Sequence, residues 1–162
     1  MKKLIILASM ALLLGLFASA YAADNTSQTV TYEVQAINEI TVSGNPGALV
    51  ISTATAGSEP DAATDATTSY SVTTNGTNKR ITGSIDTAMP ANTALLVSLT
   101  APTGGSSAGQ VTLSTTAQDL VTGISTLAES GLTISYEFTA NAAAGVVASS
   151  TKTVTLTVAD GT

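Results

Sequence analysis

Leu132-Thr133-Ile134-Ser135-Tyr136-Glu137-Phe138 is the stretch that decides the fold. Apolar residues hold every even position and polar residues every odd one. Successive side chains of a strand point to opposite faces, so this period of two is what a half-buried strand requires. A helix would need apolar residues every three or four positions, and no stretch after Ala22 shows such a stripe.

The same period recurs on either side. Val154, Leu156 and Val158 alternate with Thr153, Thr155 and Thr157, and this run is expected to pair with the first as a hairpin across the loop near Asn141 to Ser150. Upstream, Leu95, Val97 and Leu99 form a strand, and Val111 and Leu113 another. Between them, Ala101 to Gly109 is a loop rich in Pro, Gly and Ser. Leu120 to Leu127 is apolar but irregular, and its period decides nothing. Tyr70 and Val72 alternate with Ser69, Ser71 and Thr73 ahead of Asn75-Gly76. That dipeptide supplies the positive φ angles of a tight hairpin turn, with Ile81 and Ile85 on the return. Thr77 to Arg80 reads as a slightly longer loop around the turn.

Nearer the start, Val30, Tyr32 and Val34 alternate with Thr29, Thr31 and Glu33, and Ile40 and Val42 continue the pattern. Asn45-Pro46-Gly47 is a turn signal, Ala48 to Ile51 a short apolar strand, and Thr53 to Thr68 a long surface loop. Together these make about eight to ten short strands, in which Thr and Val suit pleated surfaces. The expected fold is an all-β, two-sheet antiparallel sandwich of Ig-like or jelly-roll type.

The first twenty-two residues read as a cleavable export signal: Lys2 and Lys3, an apolar run from Leu4 to Phe17, and the small-x-small pattern Ala20-Tyr21-Ala22. The run is shorter than the roughly 20 residues a membrane span needs. A type IV pilin would be cut before its apolar run, whereas this site follows it. Residues 23–162 are then expected as one soluble domain without a membrane span, located outside the cell or on its surface. No cysteine is present, which removes a lipoprotein anchor, disulfides and thiolate chemistry.

Charge narrows the partners. The formal net charge is −6, and beyond Lys2 and Lys3 the bases are Lys79, Arg80 and Lys152 against eleven acids. Nucleic acid needs clustered Lys and Arg, so it is not an expected partner. With neither histidine nor cysteine, Ser-His-Asp and Cys-His sites have no members, nor do the transition-metal sites built on them.

What remains is sparse. Glu129 and Glu137 could form a carboxylate pair, but Glu137 falls on the face opposite Tyr136 and Phe138, where a solvated position is the expectation. Glu59, Asp61 and Asp65 are weak calcium candidates in the long loop, with no EF-hand spacing. No catalytic residue and no cofactor is expected. Tyr32, Tyr70, Tyr136 and Phe138 all occupy apolar-alternation positions, so core packing is expected rather than a sugar-stacking platform. Asn25-Thr26-Ser27 and Asn75-Gly76-Thr77 match the N-glycosylation pattern, and Asn75 doubles as the turn. Lys152 near Asn141 raises an internal isopeptide bond, against the simpler reading of a lysine guarding a strand edge.

The segment that suggests a mechanism is the N-terminal one. A free tip, Ala23 to Gln28, leads into Thr29 to Val34. Such a strand pairs with its own sheet or with the open edge of a neighbour, and in the second case Val30, Tyr32 and Val34 are the interface residues. Repeated head to tail, donation builds an open filament.

The layout resembles exported β-sandwich subunits of surface filaments and biofilm matrices, such as camelysin-type matrix proteins and donor-strand pilins. The shared features are the signal Lys2 to Ala22, the leading strand Thr29 to Val34, the strand and turn Tyr70 to Gly76, and the closing strand Thr153 to Val158. The resemblance implies a structural role through self-assembly into a homopolymer. The alternative is a monomeric adhesive or glycan-binding module, which needs a groove lined by exposed aromatic rings.

Overall fold

A computed structural model describes residues 24–162; the expected signal segment, Met1 to Ala22, lies outside them. The chain divides after Glu33. The described part of the first unit, residues 24–33, carries no helix or strand.

From Val34 onward the chain is a sandwich of nine strands in two antiparallel sheets. The strands are β1 Asn38–Val42, β2 Ala63–Thr74, β3 Lys79–Ile85, β4 Thr93–Leu99, β5 Ser106–Ser107, β6 Val111–Thr112, β7 Gln118–Ile124, β8 Leu127–Ala140 and β9 Val154–Asp160. One sheet has the order β1-β2-β8-β4-β6, the other β5-β7-β3-β9. The described residues include no α-helix, only a 3-10 turn at Ala142–Ala144.

Leu132, Ile134 and Tyr136 of β8 are buried, as their alternation requires. They meet Tyr70 and Val72 of β2 and Leu95, Val97 and Leu99 of β4 on the same sheet, and Ile81, Ile85, Leu120, Val121 and Ile124 of the other sheet, in one core. Deleting such a side chain removes its transfer energy and leaves a cavity, together about 2–5 kcal/mol for Leu or Ile to Ala.

The connections differ from expectation in ways that share one cause. Asn75-Gly76 joins β2 to β3, and those strands lie in different sheets. The segment is therefore an arch between layers and not a hairpin. Its positive φ falls on Asn78 (49°), not on Asn75 or Gly76, and Lys79 and Arg80 already belong to β3. The expected hairpin of the last two long strands is likewise absent. β8 pairs with β2 and β4, and β9 pairs with β3. Alternation states which face is buried but not which sheet holds the strand, so both arches read as hairpins in sequence.

Ala48 to Ile51 forms no strand. The long loop is shorter than expected because β2 begins at Ala63. Asp65 explains why the start of β2 is hard to read. Its carboxylate accepts from Thr67 N at 3.0 Å and Thr67 Oγ1 at 2.8 Å, within a register shift between Asp65 and Thr68. A side chain that satisfies nearby backbone in this way stabilises a bulge and breaks the period of two. The irregular stretch Leu120 to Leu127 resolves into the end of β7 and the first residue of β8, in opposite sheets. Thr126 in the intervening turn has φ of 36°.

Candidate functional site

The sandwich is open along one side. β1 is an edge of the first sheet and β9 an edge of the second, and the two approach one another. Register places Ile40 opposite Val72 and Val42 opposite Tyr70. Directly paired residues share a face, so Ile40 and Val42 belong to the inner face with those two core residues. Yet Val42 is 54% exposed and Ile40 only half-buried. On β9, Val154, Leu156 and Val158 are also only half-buried, whereas the equivalent positions of β3 and β4 are closed. Apolar residues on the inner face of a finished sandwich are covered by the facing sheet. Here the second sheet ends at β9, and the inner face of β1 is only partly covered: Ile40 packs against the core while Val42 stays open.

The result is a groove of about 1470 Å³ between the sheets. Its floor includes Ile134, Tyr136 and Phe138 of β8, and its walls include Leu49 and Leu156. That exceeds the roughly 300–1,000 Å³ of ordinary small-molecule pockets. One polar atom in the wall is notable. Thr68 is 6% exposed, and its Oγ1 has no hydrogen-bond partner. A buried hydroxyl left unpaired costs free energy, so such an atom calls for an explanation. The bulge accounts for its position but not for its lack of a partner.

A second polar arrangement sets the direction in which the chain enters β1. Asn75 N donates to Ile37 O at 3.3 Å, and Asn75 Oδ1 accepts from Ile37 N at 2.8 Å. Asn75 Nδ2 donates to Gln35 O at 2.7 Å. The pairing Asn38–Thr74 at the end of β1 is thus prolonged by Asn75, which holds Gln35 to Ile37 in line with the strand.

The residues singled out from sequence fall as follows. Thr29 to Val34 carries no strand in the single chain, which corrects the expectation of one there and leaves it unpaired with its own sheet, and regular structure starts at Asn38 instead. Val30, Tyr32 and Val34 are 70%, 90% and 80% exposed, so Tyr32 is not the core residue its alternation suggested. Tyr70 and Tyr136 are buried and Phe138 half-buried. Burial, with a lesser contribution from the Glu129 charge, pushes the Tyr70 phenol up to about 12, and its hydroxyl donates to Thr100 O at 2.6 Å. Burial also raises Tyr136. Neither ring is available to stack on a sugar.

Glu129 and Glu137 do not form a pair. Glu129 accepts from Thr103 N at 2.8 Å, and Glu137 from Gln110 Nε2. Eight residues of strand separate them, roughly 25 Å at 3.3 Å per residue, against the 5–9.5 Å of hydrolytic carboxylate pairs. Glu59, Asp61 and Asp65 also serve separate partners: Ala142 N, Thr53 Oγ1 and the Thr67 bulge. Among the described residues no group of three acidic side chains is placed to hold a metal ion. Lys152 Nζ donates to Thr87 Oγ1 and Ala88 O, while Asn141 caps the 3-10 turn through Ala143 N, so the two are not brought together. Asn25 and Asn75 are both exposed, with the Asn75 amide engaged as described.

The groove itself was not legible in the sequence. Its walls come from segments more than a hundred residues apart, and the signal that marks it is partial exposure of residues whose pattern predicts burial. No family profile, curated protein or solved structure matches the chain. Among the described residues, no helix is long and apolar enough to cross a membrane.

Proposed function

We propose that this chain is a secreted structural subunit of an extracellular filament, pilus or biofilm matrix, and that it assembles by donating its N-terminal segment to a neighbouring copy. The reading rests on one observation: an alternating apolar stretch, Val30, Tyr32 and Val34, stands exposed ahead of a sandwich. Contiguous exposed apolar side chains mark interaction surfaces or aggregation-prone segments. A strand-forming segment joins another sheet through main-chain hydrogen bonds for affinity and alternate side chains for specificity. Export follows from the signal pattern Lys2 to Ala22. A non-enzymatic role agrees with the separation of Glu129 from Glu137 and with the absence of His and Cys from the sequence.

Negative-stain electron microscopy of the secreted material tests this directly. Filaments are expected from the full chain and none from a chain lacking residues 23–34. Isolated particles from the full chain, or unchanged filaments after the deletion, would refute it. A glycan-binding module gains no support, because Tyr70 and Tyr136 lie inside.

A further inference from the structure

We propose that the groove between β1 and β9 is the acceptor site, and that its occupant is residues Thr29 to Val34 of a second copy, added as a strand beside β9 with Tyr32 as its anchor. This rests on the strand-donation reading above and specifies where the donated strand goes.

Four observations converge. First, the second sheet has four strands against five in the first. β9 is its edge and pairs on one side only, and the inner face of β1 near it is only partly covered, with Val42 open. A strand beside β9 would take up the free backbone groups of that edge and cover Ile40 and Val42 at once. Second, the lengths agree. Six donor residues extend roughly 20 Å and the seven of β9 roughly 23 Å. Third, the donor stretch is apolar on one face and carries a single charge, Glu33, on the other. It can be buried without taking a charge out of water. Fourth, the groove wall holds the unpartnered Thr68 Oγ1. A buried tyrosine hydroxyl generally finds a partner, and Tyr32 is the residue of the donor face long enough to bring one.

The direction of the chain favours another copy over the same one. Asn75 holds Gln35 to Ile37 in line with β1, so the chain leaves the sandwich at the Asn75 end. Re-entry beside β9 would need a reversal at Glu33 to Ala36. That stretch has no Gly, Pro, Asn or Asp, the residues tight reversals use.

Because the natural chain has no cysteine, introduced ones report cleanly. Full chains carrying Tyr32→Cys are mixed under mild oxidation with full chains carrying Val154→Cys, Leu156→Cys or Val158→Cys. Same-face neighbours on adjacent strands lie about 4.5–5.5 Å apart at Cβ, close enough to bridge at one of the three registers. The expected result is a disulfide-linked dimer. Its yield should fall more than about tenfold when the acceptor also carries Val42→Asp, since an unpaired carboxylate is costly to bury. It should hold when the acceptor carries Ser107→Asp on β5, at the edge of the second sheet opposite β9. Tyr32→Phe in the donor and Thr68→Val in the acceptor should each weaken binding a few-fold, and together no more than either alone. Additive losses would overturn the pairing of those two hydroxyls. Filaments without any of the three cross-links would overturn the acceptor groove and leave strand donation standing. Absence of both filaments and cross-links would overturn the two together. Internal closure of a dilute chain carrying both cysteines would show self-complementation, and it too would overturn the proposal.

Discussion

Asn75 grips Ile37 from two sides, its backbone N donating to Ile37 O at 3.3 Å and its Oδ1 accepting from Ile37 N at 2.8 Å. A side-chain amide has the same donor and acceptor as a peptide group, so Asn75 continues the ladder of β1 and β2 where β2 itself turns away toward β3. A leucine there could make only the backbone half of the contact.

Asn75→Ala should therefore cost about 1–2 kcal/mol, the usual worth of one or two hydrogen bonds at an exposed site. Asn75→Asp keeps the acceptor for Ile37 N and loses the donor to Gln35 O, so its cost should be smaller. Amide hydrogen exchange gives the sharper measurement. Protection at Ile37 should vanish in the alanine variant and survive in the aspartate one. Equal exchange in the two would show that the side-chain clamp is not formed in solution.

Tyr70 makes the protein sensitive to alkali. Its phenol is raised to about 12 from an ordinary value near 10. The unfolded chain thus ionises this group first. The stabilisation is complete below about pH 10 and is lost as pH rises toward 12. The two-unit difference corresponds to roughly 2–3 kcal/mol. Urea midpoints measured from pH 8 to 12 should fall above pH 10, with Tyr136 contributing in the same direction. Tyr70→Phe should flatten that fall, while losing about 1 kcal/mol at pH 8 with the bond to Thr100 O.

The acid side has a different origin. Hydrogen bonds from Thr67, backbone first, hold the Asp65 carboxyl below its ordinary value, and the Lys79 ammonium does the same for Asp160 by hydrogen bond and charge. A lowered folded value gives stability that is present above about pH 4, where the unfolded carboxyl ionises, and is lost as pH falls through the folded value. Urea midpoints should hold from pH 7 to 5 and decline below 4. Asp65→Asn should lower stability at pH 7 and flatten the acid decline. An unchanged acid limb would mean that the bulge does not depend on the charge.

How much could be read in advance divides along a physical line. Burial within a strand follows from period, so Leu132 to Tyr136, Leu95 to Leu99 and Tyr70 with Val72 were legible to the residue. Which sheet a strand joins is not encoded by period. Asn75-Gly76 has the composition of a hairpin turn, yet Tyr70, Val72, Ile81 and Ile85 all point into the same core from opposite layers. A hairpin within one sheet and an arch between two leave the same alternating pattern. Ala48 to Ile51 illustrates the converse error. An apolar run reads as a strand, but without a partner edge it remains a groove wall. The exposed faces of Val42 and Tyr32 were illegible for a related reason. Their alternation marks an apolar face, and says nothing about whether that face is covered.

Gly83 tests how tightly β3 packs against β7, its neighbour in the second sheet. It lies in β3, buried, and a Cβ added there would stand 2.6 Å from Leu120 Cδ1 and 3.3 Å from Leu113 Cδ2. Its φ is not positive, so Gly83→Ala introduces no backbone strain and reports on packing alone. Leu120 is fully buried and can retreat only by displacing its neighbours, so the expected cost is about 1–3 kcal/mol. Leu120→Ala alone should cost about 2–5 kcal/mol through the cavity it leaves. In the double variant the new methyl occupies part of that cavity, and the combined loss should be smaller than the sum of the two. Additive losses in urea denaturation would place the two side chains out of contact, and the close approach of β3 to the core at this position would have to be abandoned.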